Sequence, residues 1–467
     1  MKILLIEPYI SPKINSGVKI FSPNFLPMYP PLGLLYIGSA LESQGHEVEL
    51  LDLRFEGNKD NLKNLVQSAD AVGISVLTDY CNSAKNIAEL VKEKDPDIPV
   101  IIGGPHCIFS QKSSLLDIPH ADIGVIGEGE LTVLDIAKFL EGNKKLADIN
   151  GICYKEDNAI KFSKPSEAIK DLDSINFPAR HLVDKYDYGA TSKLFPFKRN
   201  FTSMITTRGC PFKCRFCAHY GNVIEGWSYR ARSAENVIEE MKVVSEKYNS
   251  VIIVDDNFLA DKKRSLKIMD SLIEMGTEID LIIGGARVDS ADKELYQKMK
   301  KANVKFMEFG IESGNQDVLD FYNKHITLDK IRSSVNLANK MGFITMGSFI
   351  FGSPIENIKH IRETVKFACS LPLDIAHFRP LFYQRGSQLW FEAVKTGKIQ
   401  ESESLVGTDS RRGLGNFTLE ELLEFTKGAY KQFYLRPSYL FSQIYKAFKR
   451  RDFNLLKTGM QSISSLY

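Results

Sequence analysis

Charge of one sign is missing from this chain. Sixty Lys and Arg face 58 Asp and Glu, a formal net charge of +2, so nothing in the balance points to a nucleic-acid partner. Cysteine is scarce, seven residues in 467, which rules out a disulfide scaffold. Long apolar runs are interrupted. The longest uncharged stretch, Ile20 to Leu41, could span a bilayer by length but contains Pro23, Pro27, Pro30 and Pro31, and a membrane helix is rejected. The opening Met1-Lys2-Ile3-Leu4-Leu5-Ile6-Glu7 meets an acid too early for a secretory signal and reads as a strand. Internal repeats and low-complexity segments are absent beyond an alternation of strands and helices. With 43% hydrophobic and 25% charged residues the composition is that of a globular protein with room for two or three domains, expected in a reducing cytoplasm.

What cysteine there is concentrates in one place. Thr206-Thr207-Arg208-Gly209-Cys210-Pro211-Phe212-Lys213-Cys214-Arg215-Phe216-Cys217 holds three thiols spaced C-x3-C-x2-C, while Cys81, Cys107, Cys153 and Cys369 are scattered. Three thiols this close can converge on one centre if the backbone wraps around it, and Gly209 and Pro211 suit a tight wrap. Arg208, Lys213 and Arg215 are expected to favour the thiolate, the form that ligates metal. An odd number of thiols argues against disulfides. Zinc in a Cys3His set completed by His219 is one candidate centre, and an iron–sulfur cluster is the preferred one. A cube of four irons on three thiols keeps one iron open to another ligand.

In this spacing the loop resembles that of the radical S-adenosylmethionine (SAM) enzymes. The resemblance implies a [4Fe–4S] cluster on Cys210, Cys214 and Cys217, with the amino and carboxylate groups of SAM chelating the open iron, and it puts Phe216 at the family's usual aromatic position.

Residues 1–145 read as an α/β domain with a doubly wound, Rossmann-like parallel sheet. Lys2 to Ile6, Val48 to Leu53, Ala71 to Val76, Val100 to Ile102 and Ile123 to Ile126 are its strands, apolar enough to be covered on both faces. Ligands of such sheets bind at the carboxyl ends of the strands, where the loops are rich in small residues. A nicotinamide domain with Asp52 as its ribose acid is one reading, but G-x-G-x-x-G is missing from the first strand–helix turn. Pro30-Pro31-Leu32-Gly33, Gly73-Ile74-Ser75, Gly103-Gly104-Pro105-His106 and Gly127-Glu128-Gly129-Glu130 together resemble the cobalamin-binding domain that precedes many radical SAM domains. That resemblance implies Ser75, Leu77, Thr78, Gly103, Gly104, Pro105, Gly127, Glu128 and Gly129 as cobalamin-binding residues. The corrinoid pattern D-x-H-x-x-G is absent, so no histidine is expected below cobalt. His106 reads as a loop hydrogen-bonder rather than an axial ligand, and Cys107 as a buried thiol.

Residues 146–198 read as a connector with a hairpin, Gly151 to Tyr154 and Ala159 to Phe162 flanking Glu156-Asp157-Asn158, followed by Pro165, Pro178 and Pro196. Residues 199–400 resume the alternation. Strands at Ser203 to Thr206, Val251 to Val254, Leu281 to Gly284, Phe306 to Gly310, Ile344 to Phe351 and Ile375 to Leu381 suggest a partial (βα)6 TIM-type barrel, whose chemistry sits at the carboxyl ends of the strands. Ser233 caps the first helix. By their chemistry, Arg287 suits the carboxylate of SAM, Asp256 and Glu312 its ammonium and ribose hydroxyls, and Phe216, Ile350 and Gly352 its adenine. The plainer alternative makes Arg287 and Glu312 a barrel-end salt bridge and Asp256 a helix cap.

Residues 401–467 read as a helical C-terminal region. Thr418-Leu419-Glu420-Glu421 is a capping box opening a helix with Leu422, Phe425, Ala429 and Phe433 on one face, closing near Pro437. Leu440, Ile444 and Phe448 line a further helix, and Lys446, Lys449, Arg450, Arg451 and Lys457 make the tail basic against Asp452. Such a helix packs on its own barrel or lies on an anionic membrane. The resemblance as a whole implies a cobalamin-dependent radical SAM enzyme that cleaves SAM and methylates an unactivated carbon of a small-molecule or lipid substrate, with an electron donor such as flavodoxin or ferredoxin. Cyclisation or oxygen insertion, as in the anaerobic cyclases of tetrapyrrole and lipid pathways, is the alternative outcome, and a non-catalytic corrinoid or iron–sulfur carrier the alternative class.

Overall fold

The computed structural model describes residues 1–9, 28–56, 59–157, 159–191, 200–450 and 453. Pro23, Pro27, Asn158, Pro196, Arg451, Asp452 and Lys457, used in the sequence reading, lie outside them. The described chain forms two compact units, one built from the described residues of 1–14, 30–186 and 220–227, the other from those of 15–29, 187–219 and 228 onwards.

The first unit is a seven-stranded sheet. Strands β1 (Lys2–Glu7), β2 (Glu47–Asp52), β3 (Ala71–Ser75), β4 (Val100–Gly103) and β5 (Ile123–Val125) pair in parallel, and β6 (Ile152–Glu156) and β7 (Ala159–Phe162) antiparallel, in the order β2-β1-β3-β4-β5-β6-β7. The hairpin expected in the connector thus extends this sheet. The parallel strands are almost continuously apolar because both their faces are covered. On one face Leu4, Ile6, Val72, Ile74, Val100 and Ile102 pack with Ala84, Ile87 and Val91 of the helix Cys81–Lys94. Alternate residues Ile3, Leu5 and Leu50 are buried too, as are Leu34, Leu35 and Leu41 of the helix Leu32–Glu42. Each such side chain contributes roughly 1.5–3 kcal/mol. Because β1 has β2 on one side and β3 on the other, the strand order reverses there, and the carboxyl ends of β1 and β3 mark the switch point at which sheets of this kind bind ligands.

The second unit carries six parallel strands, β8 (Phe201–Met204), β9 (Ser250–Ile253), β10 (Asp280–Ala286), β11 (Val304–Glu312), β12 (Ile344–Phe351) and β13 (Ile375–Pro380), paired in sequence order. Side chains alternate between its two faces. Val251, Ile253, Leu281, Ile283, Met307, Phe309, Phe349 and Phe351 pack with Val237, Met241, Ile268, Leu272, Leu295 and Met299 of the surrounding helices. Those helices start where their sequence dictates: Ser233, Asp261, Asp292, Thr327 and Asn357 each accept a first-turn backbone N–H, a cap worth about 1 kcal/mol.

The last strand, β13, would present an open edge. It is closed by the helix Leu419–Tyr434, whose Thr418–Glu421 capping box is present as expected. Tyr430 and Tyr434 each use the hydroxyl both to accept a β13 N–H and to donate to a β13 carbonyl, Tyr430 at Phe378 (3.0 and 2.9 Å) and Tyr434 at Ala376 (3.0 and 3.0 Å).

The final helix, Pro437–Arg450, exists but is turned the other way from the expected face. Gln443 and Ala447 are buried, while Leu440, Phe441, Ile444, Tyr445 and Phe448 are exposed, Phe441 at 74%. The cause is Asp374, fully buried at the start of β13, which draws Lys446 and Arg450 inward to 3.0 Å each. A buried carboxylate needs its cations more than the helix needs its apolar face covered. No described helix is long and apolar enough to cross a membrane.

Candidate cluster and cofactor site

The cysteine loop leaves the carboxyl end of β8, and its entry is set by Asp255. That buried carboxylate, just past β9, accepts the backbone N–H of Thr206 (2.6 Å) and of Thr207 (3.1 Å) and the Thr206 hydroxyl. Arg264 holds the same turn through the Thr206 carbonyl at 3.0 Å. Gly209 then turns at φ +76°, where a Cβ would stand 3.0 Å from the Ser228 carbonyl oxygen. Downstream, the loop is tied to the barrel by Arg215 N–H to the Tyr322 carbonyl (3.1 Å), Asn323 to the Lys213 carbonyl (2.9 Å), Leu389 N–H to the Arg215 carbonyl (3.0 Å) and His219 N–H to the Gly386 carbonyl (3.2 Å). The loop is preformed.

Within it Cys214 is buried, Cys210 half-buried and Cys217 exposed. Desolvation by the surrounding protein raises all three thiols, Cys217 to about 12 because its sulfur faces inward although the residue as a whole is exposed. The expected cations are not what opposes this. Arg287 acts on Cys210, and Lys324 and Arg287 on Cys214, whereas Arg215 turns away to Glu392 at 2.6 Å and stacks on Phe321. Sequence adjacency misleads here because successive loop side chains point in different directions.

Arg287, at the end of β10, is buried with its guanidinium 3.7 Å above the Phe212 ring and Nη1 3.9 Å from Cys214 Sγ. Its other nitrogens donate to Asp289 (3.0 and 2.9 Å) and to the Lys324 carbonyl (2.6 Å). Glu312, at the end of β11, is buried and accepts from Lys324 at 2.9 Å. The two are therefore not each other's salt bridge. Asp256 is not a cap either, since Asn257 and Asp261 fill those roles. The residue is exposed overall, yet protein packed around its carboxyl raises its pKa, with His219 opposing. Phe216 and Ile350 belong to one apolar cluster with Tyr322, whose ring meets Phe216 edge-on at 4.9 Å. Gly352 has φ +103°, and a Cβ there would lie 2.6 Å from Leu422. Lys324, Asp255 and Glu356, which accepts the Gly352 N–H at 2.6 Å, were missed by sequence reasoning; only Asp255, beside Asp256, carried a signal.

At the crevice of the first unit, Leu77 is exposed and Ser75 and Thr78 half-exposed. The glycines are shaped by the fold itself. A Cβ on Gly104 (φ +104°) would stand 3.1 Å from the Val76 carbonyl oxygen, on Gly127 (φ +149°) 2.4 Å from Ser166 Oγ, and on Gly129 2.7 Å from Ile37, while Gly103 has ordinary room beside Val125. Pro105 opens the helix Pro105–Ser110, and Glu128 accepts the Ile169 N–H at 2.7 Å. Asp52 is fully buried against Arg54 at 2.6 Å, so it offers nothing to a ribose. Cys107 is fully buried. Glu7, at the end of β1, has its carboxyl raised by burial to about 7.

The Radical SAM superfamily model matches residues 204–368, and that of the B12 binding domain matches residues 22–137. The chain is 30% identical over 453 residues to Uncharacterized methyltransferase PH0819 of Pyrococcus horikoshii, covering 96% of this chain and 95% of that protein. The chain belongs to the cobalamin-binding radical SAM family. Within the family it is also 25% identical to the anaerobic magnesium-protoporphyrin IX monomethyl ester cyclase of Rubrivivax gelatinosus, over 97% of this chain and 82% of that one. Its fold is shared by the radical SAM methyltransferase TsrM of Kitasatospora setae, solved with cobalamin and a [4Fe–4S] cluster, at a TM-score of 0.68 and 17% identity over 85% of this chain and 75% of that one. The protein is thus a radical SAM enzyme whose cofactors are a [4Fe–4S] cluster, SAM and cobalamin.

The residues present fit these groups. Three thiols gathered in one preformed loop suit a [4Fe–4S] cluster, the family's centre, and the Cys3His zinc alternative is set aside on that ground. Around the strand ends, Thr207 Oγ1, His219 Nε2 and Asn257 Nδ2 are buried with no hydrogen-bond partner among the described residues. Buried polar atoms of that kind are costly unless a ligand completes them, as the polar groups of SAM would. For cobalamin, the exposed Leu77 beside the crevice offers an apolar wall.

Proposed function

We propose that this enzyme methylates an unactivated carbon of a small-molecule or lipid substrate. The observation that supports it best is the preformed thiol loop at the carboxyl end of β8, carried in one chain with a B12-binding sheet. When bound, the cluster, SAM and cobalamin supply the electron, the hydrogen abstraction and the methyl group. Cys210, Cys214 and Cys217 hold the cluster, and Arg287 keeps Phe212 and Cys214 in place. Arg287 takes the carboxylate of SAM, and Asp256 and Glu312 take its ammonium and ribose hydroxyls, with Thr207, His219 and Asn257 beside them and Lys324 holding Glu312. Phe216, Ile350 and Gly352 line the adenine. Ser75, Leu77, Thr78, Gly103, Gly104, Pro105, Gly127, Glu128 and Gly129 line the cobalamin. We keep residues 1–145, 146–198, 199–400 and 401–467 as the functional divisions.

An electron donor such as flavodoxin or ferredoxin and a cytoplasmic setting complete the reading. The exposed face of the final helix, with Lys449 beside it, supports peripheral contact with an anionic membrane. Co-sedimentation with phosphatidylglycerol vesicles is expected for the enzyme and not for a Phe441→Ser/Phe448→Ser variant; equal sedimentation of both would remove this contact.

Similarity to a cyclase supports a second reading, ring formation or oxygen insertion. Methyl-labelled SAM separates the two. Methyl transfer yields S-adenosylhomocysteine and 5′-deoxyadenosine in comparable amounts with label in the product. Abundant 5′-deoxyadenosine with no substrate-dependent S-adenosylhomocysteine and no label would select the second reading.

A further inference from the structure

A second group of metal-type ligands lies in the first unit, apart from the cluster loop in sequence. Cys81 opens the helix Cys81–Lys94 that follows β3, His106 sits in the helix Pro105–Ser110 that follows β4, and Asp117 ends the helix Ser113–Asp117. Among the described residues these three alone bring sulfur, nitrogen and oxygen ligand atoms all within 4.8 Å of one another. Cys81 Sγ is 3.5 Å from His106 Nε2, and His106 Nε2 is 3.1 Å from Asp117 Oδ2. His106 is only 1% exposed.

The separations suit a tetrahedral ion. Zinc bonds of about 2.3 Å to sulfur and about 2.0–2.2 Å to nitrogen and oxygen place neighbouring donors roughly 3.2–3.6 Å apart. The group is also poorly satisfied without an ion. One ring nitrogen, Nε2, faces both partners, and it can donate to the Asp117 carboxylate or accept from the Cys81 thiol but not do both. A nucleophilic triad is excluded by the same fact, since its histidine uses one nitrogen for each partner. The other nitrogen, Nδ1, lies 3.5 Å from Ser110 Oγ, the outer contact that orients a ligating imidazole. One thiolate and one carboxylate balance a dication, which suits a largely buried place.

We propose that Cys81 Sγ, His106 Nε2 and Asp117 Oδ2 bind a divalent ion of the zinc class, with water in the fourth position. Binding releases the proton of the Cys81 thiol as the Zn–S bond forms. The ion ties together the segments that follow β3 and β4, in the same loop as Gly103, Gly104 and Pro105.

The test uses the reconstituted full-length holoenzyme, dialysed against zinc and then against metal-free buffer. Elemental analysis is expected to find about one zinc per chain beside the cluster iron, with X-ray absorption at the zinc edge showing one sulfur and the rest nitrogen or oxygen. Cys81→Ser and Asp117→Asn should each lose the zinc with iron unchanged, and Ser110→Ala should weaken it about tenfold. Because Asp117 is half-exposed, its Asn variant keeps the test open if the Cys81 variant misfolds. Absence of zinc from the enzyme, zinc bound by three sulfurs, or zinc unaffected by Asp117→Asn would overturn the proposal.

Discussion

Glu312 and Lys324 form a buried pair, Nζ to Oε1 at 2.9 Å with side chains 7% and 5% exposed. The pair sits where β11 ends with Glu312 at φ +65°, a conformation rare for a side-chain-bearing residue. Lys324 also presents its carbonyl to Arg287, so one residue links two strand ends at the rim. Replacing Lys324 by Met leaves Glu312 buried without its cation. A loss of about 3–5 kcal/mol in the urea unfolding free energy is expected, together with a fall in reconstituted iron. Unchanged stability would mean that Glu312 finds another partner.

Glu356 sets a pH dependence. Burial raises its carboxyl from the ordinary 4.5 to about 7, against the pull of the Gly352 and Ser353 N–H groups at 2.6 and 3.0 Å. Between those values the folded protein holds a proton that the unfolded chain has released. The contribution of this group to stability therefore falls as pH rises through the window and stays flat above it. Glu356→Gln keeps an acceptor and removes the titration. Thermal melts should show the variant gaining on the parent from about pH 5 to about pH 8, by an amount on the order of 3 kcal/mol; parallel curves would contradict this.

Cobalt in the bound cobalamin is expected to lack a histidine below it. His106 has Nε2 engaged with Cys81 and Asp117 and Nδ1 facing Ser110, which leaves no nitrogen for cobalt. Electron paramagnetic resonance of the Co(II) form should show no nitrogen superhyperfine splitting. Splitting that disappears in His106→Ala would contradict the assignment.

Periodicity made the architecture readable. The strands of both sheets, the Ser233 cap and the Thr418–Glu421 box appear where the residue pattern puts them, because strand and helix repeats and caps are local. The cysteine loop was equally legible as a spacing. What sequence could not carry was the direction of side chains across the chain. Lys324 controls Glu312 from 12 residues away, and Arg287 reaches Cys214 across 73 residues. The face of the final helix was misjudged for the same reason: Asp374, more than 70 residues earlier, claims Lys446 and Arg450. At Gly104 and Gly127 a side chain would meet Val76 and Ser166, a constraint set by residues distant in sequence that the glycine pattern alone does not show.

The central claim is that Cys210, Cys214 and Cys217 hold the cluster that cleaves SAM, and it is tested without knowing the substrate. Anaerobically reconstituted enzyme, given SAM and dithionite, should produce 5′-deoxyadenosine, while Cys214→Ala, matched for folding by circular dichroism, should produce none. Undiminished production by Cys214→Ala, or none by a parent enzyme with full iron and sulfide content, would contradict the account.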